Sequence, residues 1–208
     1  ADPTPAISLN VWISDNVTMA NNTFKNISKS TYWGSATGML SFHLYTMGGG
    51  SYCNLLTIRD NYFKNNSYTC TEQHNFDGLI TSYIFDSNYG FTIPQTDIKN
   101  NILDGNTGEI PIYVYRGAAV SGANVIIGNN TVINNSQSFG TYSGVYVYTL
   151  GSLNVLNNII SHTAGTNMSG CYASSMANNI VNNIVAYSAS HGFYNTGGTF
   201  NYNTVYNN

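Results

Sequence analysis

The sequence MANNTF, residues 19–24, is one of seven copies of a short pattern that recurs along the chain. Each copy has an apolar residue, then an asparagine three positions later, then a second apolar residue two positions after that. The other copies are IRDNYF (58–63), IKNNIL (98–103), IGNNTV (127–132), VLNNII (155–160), IVNNIV (180–185) and FNYNTV (200–205). The shared asparagines are Asn22, Asn61, Asn101, Asn130, Asn158, Asn183 and Asn203. Their spacings of 39, 40, 29, 28, 25 and 20 residues predict a chain that returns to the same place once per copy.

The shared asparagine indicates where the chain bends. Asparagine enters the left-handed region of backbone space at lower cost than most other residues. We therefore predict that each copy consists of a strand, a one-residue corner at the shared asparagine, and a second strand. Copies stacked about 4.8 Å apart would place the asparagine amides in a hydrogen-bonded row.

A second pattern, a glycine or proline followed by an apolar residue, recurs once between successive shared asparagines and predicts a further strand. Side chains alternate between the two faces of a strand, so an inward residue is followed by an outward one. The predicted inward residues are Met39, Leu79, Ile112, Val145, Cys171 and Phe193. The outward residues that follow four of them are predicted to stack, and they are Tyr113, Tyr146, Tyr172 and Tyr194.

Inward aliphatic residues combined with asparagine ladders resemble the right-handed parallel β-helix repeat family. This is the fold of pectate lyases and of many secreted repeat proteins, and the chain is closest in character to archaeal and bacterial surface or sheath proteins. The resemblance implies an all-β, single-stranded solenoid of about seven coils with Asn and Tyr ladders, over residues 11–208. Residues 1–10 would form a lead segment, although the alternation over residues 7–13 predicts a first strand. The fold hosts enzymes and structural proteins alike, so it does not fix an activity.

The composition is poor in charge. Only 7% of the residues are charged, against roughly 25% in ordinary soluble domains, and the net charge is −3. Six lysines and arginines do not provide the basic footprint of a nucleic-acid-binding protein. No apolar run approaches the ~18 residues of a membrane span. Such a surface guards weakly against self-association, so we expect contacts with copies of the same chain or with polysaccharide.

Three cysteines leave at least one unpaired. Cys53 and Cys70 lie on either side of Asn61 and are the candidates for a disulfide. Cys171 occupies a predicted inward position and is expected to behave as a small buried hydrophobic residue. The alternative for an odd cysteine is a disulfide between subunits.

Seven Asn-x-Ser/Thr sequons are candidate glycosylation sites and fit a secreted, extracellular or cell-surface protein. Several lie immediately before the shared asparagine or four residues after it, where we expect the side chain to face solvent. The sequons begin at Asn16, Asn21, Asn26, Asn65, Asn129, Asn134 and Asn167.

Six outward tyrosines are predicted to form a flat face along the repeat axis. Aromatic rings can pack on sugars, and tyrosine is also enriched in protein interfaces, where it loses little entropy on ordering. A third interpretation is that tyrosine simply suits a strand. The residues of this self-association or sugar-contact face are Tyr113, Tyr115, Tyr146, Tyr148, Tyr172 and Tyr194.

A polysaccharide lyase on this scaffold would need clustered carboxylates for calcium and a basic residue as the proton acceptor. A hydrolase would need two carboxylates across a groove. Only Asp77, Asp86, Asp97 and Glu109 are candidates for the acids, and Arg116 is the nearest base. Turn and capping roles explain such acids more simply. The histidines lack zinc-ligand spacing, so we expect no metal, cofactor or catalytic residues.

The sequence therefore favours a structural extracellular protein that self-assembles into a cell-surface sheath, surface layer or filament. The last copy of the pattern runs in register to near residue 208, so we expect either further chain or another subunit beyond it. One alternative is a polysaccharide lyase or hydrolase of the pectate-lyase-like fold. The other is a carbohydrate-binding adhesin segment that uses the tyrosine face.

Overall fold

The computed structural model of the chain shows a protein built from short β-strands. It describes residues 7–11, 13–31, 40–44, 52–70, 78–84, 95–108, 110–116, 123–136, 144–162, 169–175, 177–188, 191–195 and 197–207. Residues rich in Val, Ile, Thr and Tyr alternate with polar ones in these ranges, a pattern that favours extended chain.

The strands are numbered in chain order. The first eleven are β1 (Ile7–Val11), β2 (Ile13–Ala20), β3 (Thr23–Lys25), β4 (Ser28–Thr31), β5 (Leu40–Leu44), β6 (Tyr52–Arg59), β7 (Tyr62–Lys64), β8 (Ser67–Cys70), β9 (Gly78–Ile84), β10 (Gln95–Lys99) and β11 (Ile102–Asp104). The next twelve are β12 (Ile110–Arg116), β13 (Asn124–Gly128), β14 (Thr131–Ile133), β15 (Val145–Tyr148), β16 (Ser152–Leu156), β17 (Ile159–Ser161), β18 (Cys171–Ser174), β19 (Ala177–Val181), β20 (Ile184–Ala186), β21 (Phe193–Asn195), β22 (Thr199–Asn201) and β23 (Thr204–Tyr206).

These strands form three seven-stranded sheets in which the described pairings are all parallel. The first sheet has the order β1-β5-β9-β12-β15-β18-β21, the second β2-β6-β10-β13-β16-β19-β22 and the third β3-β7-β11-β14-β17-β20-β23. A small fourth sheet pairs β4 with β8. The chain visits the first, second and third sheets in turn, so one strand of each sheet makes up one repeat. This all-parallel stacking is consistent with a solenoid resembling a β-helix.

The inward-facing side chains of the three sheets form the core. In β13, Val125 and Ile127 are fully buried, while Ile126 between them is partly exposed. β16 repeats this alternation with Leu153 and Val155 inside. Full burial of each such side chain contributes roughly 1.5–3 kcal/mol. Parallel register stacks these residues on their counterparts in adjacent repeats, so one continuous apolar core results.

The corner lies one residue earlier than predicted. The left-handed residue precedes the shared asparagine, because its side chain must point outward while the asparagine turns inward to reach the next repeat. These corner residues have φ between 54° and 59°, and they are Asn21, Asp60, Asn100, Asn129, Asn157, Asn182 and Tyr202. A second left-handed corner follows five residues later in each repeat, at Asn26, Asn65, Gly105, Asn134, His162, Tyr187 and Asn207. The third-sheet strand is therefore a three-residue segment between two corners.

The second predicted pattern is correct from β12 onward and shifted by one residue before it. Ile112 pairs in register with Ile80 rather than with Leu79, and Ile80 pairs with Leu40. Leu79 is nevertheless buried, and Met39 lies outside the described residues. The first sheet also reaches into the predicted lead segment, because β1 begins at Ile7.

None of the described residues belongs to a helix with the length and hydrophobicity needed to cross a bilayer.

Candidate interaction surfaces

The shared asparagines form the predicted hydrogen-bonded row. The Nδ2 of each donates to the Oδ1 of the next at 2.9–3.0 Å, from Asn22 through to Asn203. The backbone N–H of each donates to the same oxygen, as Asn130 N–H does to Asn158 at 2.9 Å. Most of these amides are buried, so the row satisfies polar groups inside the fold and ties each repeat to the next.

Sequence reasoning missed a second asparagine row. Asn66, Asn106 and Asn135 lie at the second corner and repeat the same contacts, with Nδ2 to Oδ1 distances of 2.9 Å. Ile27 occupies the equivalent place in the first repeat, and its backbone N–H donates to Asn66 Oδ1. The signal was present as an asparagine five residues after the shared one, but a rule based on one asparagine per copy overlooked it.

The predicted tyrosines stack along the first sheet. Ring centroids are 5.2 Å apart for Tyr113 and Tyr146, 4.6 Å for Tyr146 and Tyr172, and 5.0 Å for Tyr172 and Tyr194. The rings lie within 18° of parallel. Stacking of this kind adds about 0.5–1.5 kcal/mol per pair beyond burial. A second stack joins Tyr115 and Tyr148 at 5.1 Å.

These tyrosines do not form an evenly open face. Tyr113 is 1% exposed, Tyr146 and Tyr172 are half-buried, and Tyr194 is 50% exposed. Each ring face within the stack is covered by the neighbouring ring. Packing on a sugar requires an open ring face, so the stacked geometry favours contacts through ring edges and hydroxyl groups instead.

Another exposed apolar row lies on the outer face of the third sheet. Ile102, Ile159 and Ile184 are 45%, 43% and 45% exposed and occupy equivalent first positions of β11, β17 and β20. Register links Ile102 to Thr131, Thr131 to Ile159, and Ile159 to Ile184. We call this the isoleucine row. These isoleucines belong to the predicted repeat, but the repeat rule concerns inward positions and therefore predicts no role for an outward row.

The charged side chains of the third-sheet face are Lys25, Lys64 and Asp104, and all three lie in its first three repeats. Lys64 Nζ lies 3.4 Å from Asp104 Oδ2, at the end of that face nearest the chain start. A hydrogen bond with Tyr62, and to a smaller extent one with Asp104, raises the pKa of Lys64, so the lysine is charged at neutral pH. Farther along, the same outer column continues with Ile133, Ser161, Ala186 and Tyr206.

Exposed aromatic side chains gather beside the last repeats. Tyr187 and Tyr202 adopt left-handed corners, although such bulky residues are uncommon there. Tyr187 stacks on His162 at 4.5 Å and meets Tyr206 edge to face at 5.6 Å. The outermost strands β22 and β23 are exposed throughout, including Phe200 in a row that is buried in earlier repeats.

Five of the predicted sequons begin at exposed left-handed corners. They are Asn21, Asn26, Asn65, Asn129 and Asn134. Asn16 is exposed on β2, and Asn167 lies outside the described residues. The corner geometry therefore presents these amides to solvent, as expected, and glycosylation itself stays a prediction.

The predicted disulfide between Cys53 and Cys70 stays a prediction, and the structure describes the side chains of Cys53 and Cys171. Cys53 is a free, fully buried thiol whose Sγ donates to the Leu55 carbonyl at 3.4 Å. Cys53 is the second residue of β6 and faces the core, while Cys70 is the last residue of β8 in a different sheet. Cys171 is also free and fully buried, and burial raises the pKa of its thiol to about 12. A buried Cys171 fits the expected apolar role.

Arg116 points into the fold rather than toward solvent. Its guanidinium donates to the Ser82 carbonyl, to Ser82 Oγ and to Thr96 Oγ1, each at 2.8 Å. Burial lowers the pKa of Arg116 to about 9. A fully buried guanidinium cannot take a proton from an external polysaccharide, so Arg116 joins the first and second sheets instead.

The candidate acids are only partly described. Asp97 forms an ion pair with Lys99 at 2.6 Å and accepts a hydrogen bond from Gln95 at 2.9 Å. Asp77, Asp86 and Glu109 lie outside the described residues. Within the described ranges no group of three or more His, Cys, Asp or Glu side chains could hold a metal ion.

Comparison with protein-family models, with curated proteins and with solved structures found no significant match to this chain. Function is therefore inferred from these surfaces.

Proposed function

We propose that this chain is a structural protein of the cell exterior that self-assembles into a sheath, surface layer or filament. Its scaffold would be a right-handed parallel β-helix of about seven coils, similar to the pectate-lyase-like fold and to secreted surface proteins. Two asparagine rows and a tyrosine stack would stiffen this scaffold along its axis. Copies would associate through flat, charge-poor outer faces.

The isoleucine row is the observation that carries this proposal. Three isoleucines on one sheet face remain nearly half exposed at equivalent positions. Covering the remainder of each would contribute roughly 1 kcal/mol. Exposed apolar rows on flat sheets are the usual starting point for sheet-to-sheet association. The charges on this face, Lys25, Lys64 and Asp104, lie in its first three repeats, so none stands beside Ile159 or Ile184 to oppose such contact.

The tyrosine stack is proposed to add further contacts in the assembly. Its ring edges and hydroxyl groups line the first sheet, and tyrosine loses little entropy when an interface orders it. The predicted residues Tyr146, Tyr148, Tyr172 and Tyr194 would add lateral contacts between neighbouring copies. Tyr113 would contribute by stiffening the stack, because it is buried.

Exposed sequons at the corners support an extracellular setting. Glycans at Asn21 or Asn129 would project from a corner edge and leave the sheet faces uncovered. Assembly through faces and modification at edges are therefore compatible on one molecule.

The test is electron microscopy and sedimentation of the purified chain over a concentration series. We expect ordered tubes, sheets or filaments, and we expect Ile159→Lys to weaken their formation because a charge on the flat face must be desolvated. Thr18→Lys is the matched control, since Thr18 is an exposed strand residue on the second sheet. Monomers at every concentration would refute the proposal, as would equal assembly by both variants.

A further inference from the structure

The outer face of the third sheet has a palindromic order of side chains. Its first positions, in repeat order, are Thr23, Tyr62, Ile102, Thr131, Ile159, Ile184 and Thr204. Threonine stands at both edges and in the centre, and two large apolar residues separate each pair of threonines. The order is the same when it is read from either edge, apart from tyrosine in place of one isoleucine.

From this order we infer that two copies of the chain pack their third sheets face to face, related by a two-fold axis through Thr131. This inference rests on the proposed self-assembly and names its lateral partner as a second copy of the same chain. The axis would run along the strands, so the repeats of one copy meet those of its partner in reverse order. A two-fold contact of this kind uses the same patch on both molecules.

The reversed order matches apolar groups with apolar groups. Thr131 would meet the partner's Thr131, and Ile102 would meet the partner's Ile159. Tyr62 would meet the partner's Ile184, and Thr23 the partner's Thr204. Both copies have the same spacing of about 4.8 Å between repeats, so the match holds along the whole face.

The neighbouring outer column is also compatible with reversal. Lys25 would meet the partner's Tyr206, Lys64 the partner's Ala186 and Asp104 the partner's Ser161. Each charged side chain thus faces an uncharged one, and Ile133 faces the partner's Ile133. Like charges directly opposed would disfavour the contact, and this arrangement avoids them.

The size of the face sets the strength of the contact. Seven strands about 4.8 Å apart and three residues of about 3.3 Å each give roughly 300 Å² per copy. A stable isolated dimer buries about 800 Å² per partner. The pairing is therefore weak between two molecules and becomes effective where many copies are held side by side.

Cysteine cross-linking with a short bismaleimide tests this geometry. Thr131→Cys lies on the two-fold axis, so it should cross-link to itself, at least about tenfold more than Thr18→Cys on the second sheet. Ile102→Cys alone should cross-link poorly, whereas Ile102→Cys mixed with Ile159→Cys should cross-link well. The parent protein measures the background from native cysteines, and circular dichroism confirms the fold of each variant.

Four outcomes overturn the inference. Cross-linking of Ile102→Cys alone at the level of the mixture indicates an unreversed pairing, and equal reaction of Thr131→Cys and Thr18→Cys indicates random collision. If the parent protein assembles in the microscope but Thr131→Cys does not cross-link, this pairing is wrong and the proposed function stands. If the parent protein does not assemble at all, the proposed function fails and the pairing fails with it.

Discussion

Replacing Asn130 by alanine tests the asparagine row as the main polar support of the fold. Asn130 Nδ2 donates to the Ile98 carbonyl at 2.9 Å and to Asn158 Oδ1 at 3.0 Å. Its Oδ1 accepts from the backbone N–H and from Nδ2 of Asn101, both at 3.0 Å. Alanine removes all four contacts and keeps the two backbone bonds, in which the N–H of residue 130 donates to Asn158 Oδ1 and its carbonyl accepts from Ile159 N–H.

The expected loss of stability follows from the polar groups that no longer have Asn130 as a partner. Asn101 Nδ2 keeps its bonds to the Ile58 and Lys99 carbonyls, so it is not orphaned. The Asn101 N–H and the Ile98 carbonyl each lose the contact to Asn130 in a buried setting. Ile98 lies in a central strand that pairs on both sides, so its carbonyl keeps the sheet ladder and the main cost falls on the Asn101 N–H. A buried polar group without its partner costs about 1–3 kcal/mol, so the free energy of unfolding should fall by about that amount.

Chemical denaturation followed by circular dichroism measures this change, and Asn129→Gly is the matched control. Asn129 is adjacent and exposed, and its left-handed φ of 54° suits glycine. We expect that control to lose about 1 kcal/mol or less. Equal slopes with denaturant would show that the three proteins unfold through comparable changes in exposed surface. A loss in Asn130→Ala no greater than in Asn129→Gly would refute the reasoning, because the row would then contribute nothing beyond the corner.

Three further predictions concern single sites. Gly151→Ala would place a Cβ 1.8 Å from the Ala123 carbonyl oxygen, so it should lower the free energy of unfolding by more than about 3 kcal/mol. In the control Gly128→Ala the nearest contact of the new Cβ is 3.6 Å, so the change should stay within about 0.5 kcal/mol. Thermal unfolding measures both variants. The pKa of Arg116 is about 9 when folded and 12.5 as the ordinary value, so the unfolded chain binds the extra proton above pH 9. The stability of the parent relative to Arg116→Met should therefore rise by roughly 1.4 kcal/mol between pH 8 and pH 10, and a flat difference would show that the buried guanidinium keeps its proton. The pKa of Cys171 rises from 9.0 to about 12 on folding, so its thiol should resist maleimide in the folded protein at pH 8. Its contribution to stability should be lost as pH rises above 9, because the unfolded thiol then loses its proton. Mass spectrometry that finds maleimide-labelled Cys171 in the native protein would contradict the predicted protection.

The repeat and its inward rows could be predicted because they obey short-range rules. An apolar residue three positions before Asn101 and another two after it fix which faces turn inward, and strand alternation does the rest. The structure has Ile98 and Leu103 buried in register with their counterparts. The parallel sheets follow from the same periodicity, since a chain that returns after each copy pairs like with like.

The errors arose where two positions satisfied the same rule. Asn100 and Asn101 are both asparagine, and preference for the left-handed region cannot say which one adopts it. Only the hydrogen bonds of Asn101 to adjacent repeats decide the matter. Leu79 and Ile80 are likewise both apolar and both buried, so alternation alone could not set the register of β9.

The candidate surfaces were harder to predict because burial of an outward residue depends on what covers it. Tyr113 and Tyr194 occupy equivalent outward positions in the first sheet, yet one is buried and the other half exposed. No periodicity in the sequence distinguishes them.

Outward positions nevertheless hold the information about assembly, because the repeat leaves them free. The corner needs a residue that tolerates left-handed φ, the next position needs an inward amide, and the residue after that only needs to suit a strand. Threonine and isoleucine meet that last requirement equally well at Thr131 and Ile159. A preference for threonine at the centre and edges, and for large apolar residues between them, is therefore not imposed by the fold. Thr23 and Thr131 also complete the sequons at Asn21 and Asn129, but the symmetric order about Thr131 is the one that contact with a second, reversed copy would favour. The cross-linking of Thr131→Cys to itself decides whether that contact forms.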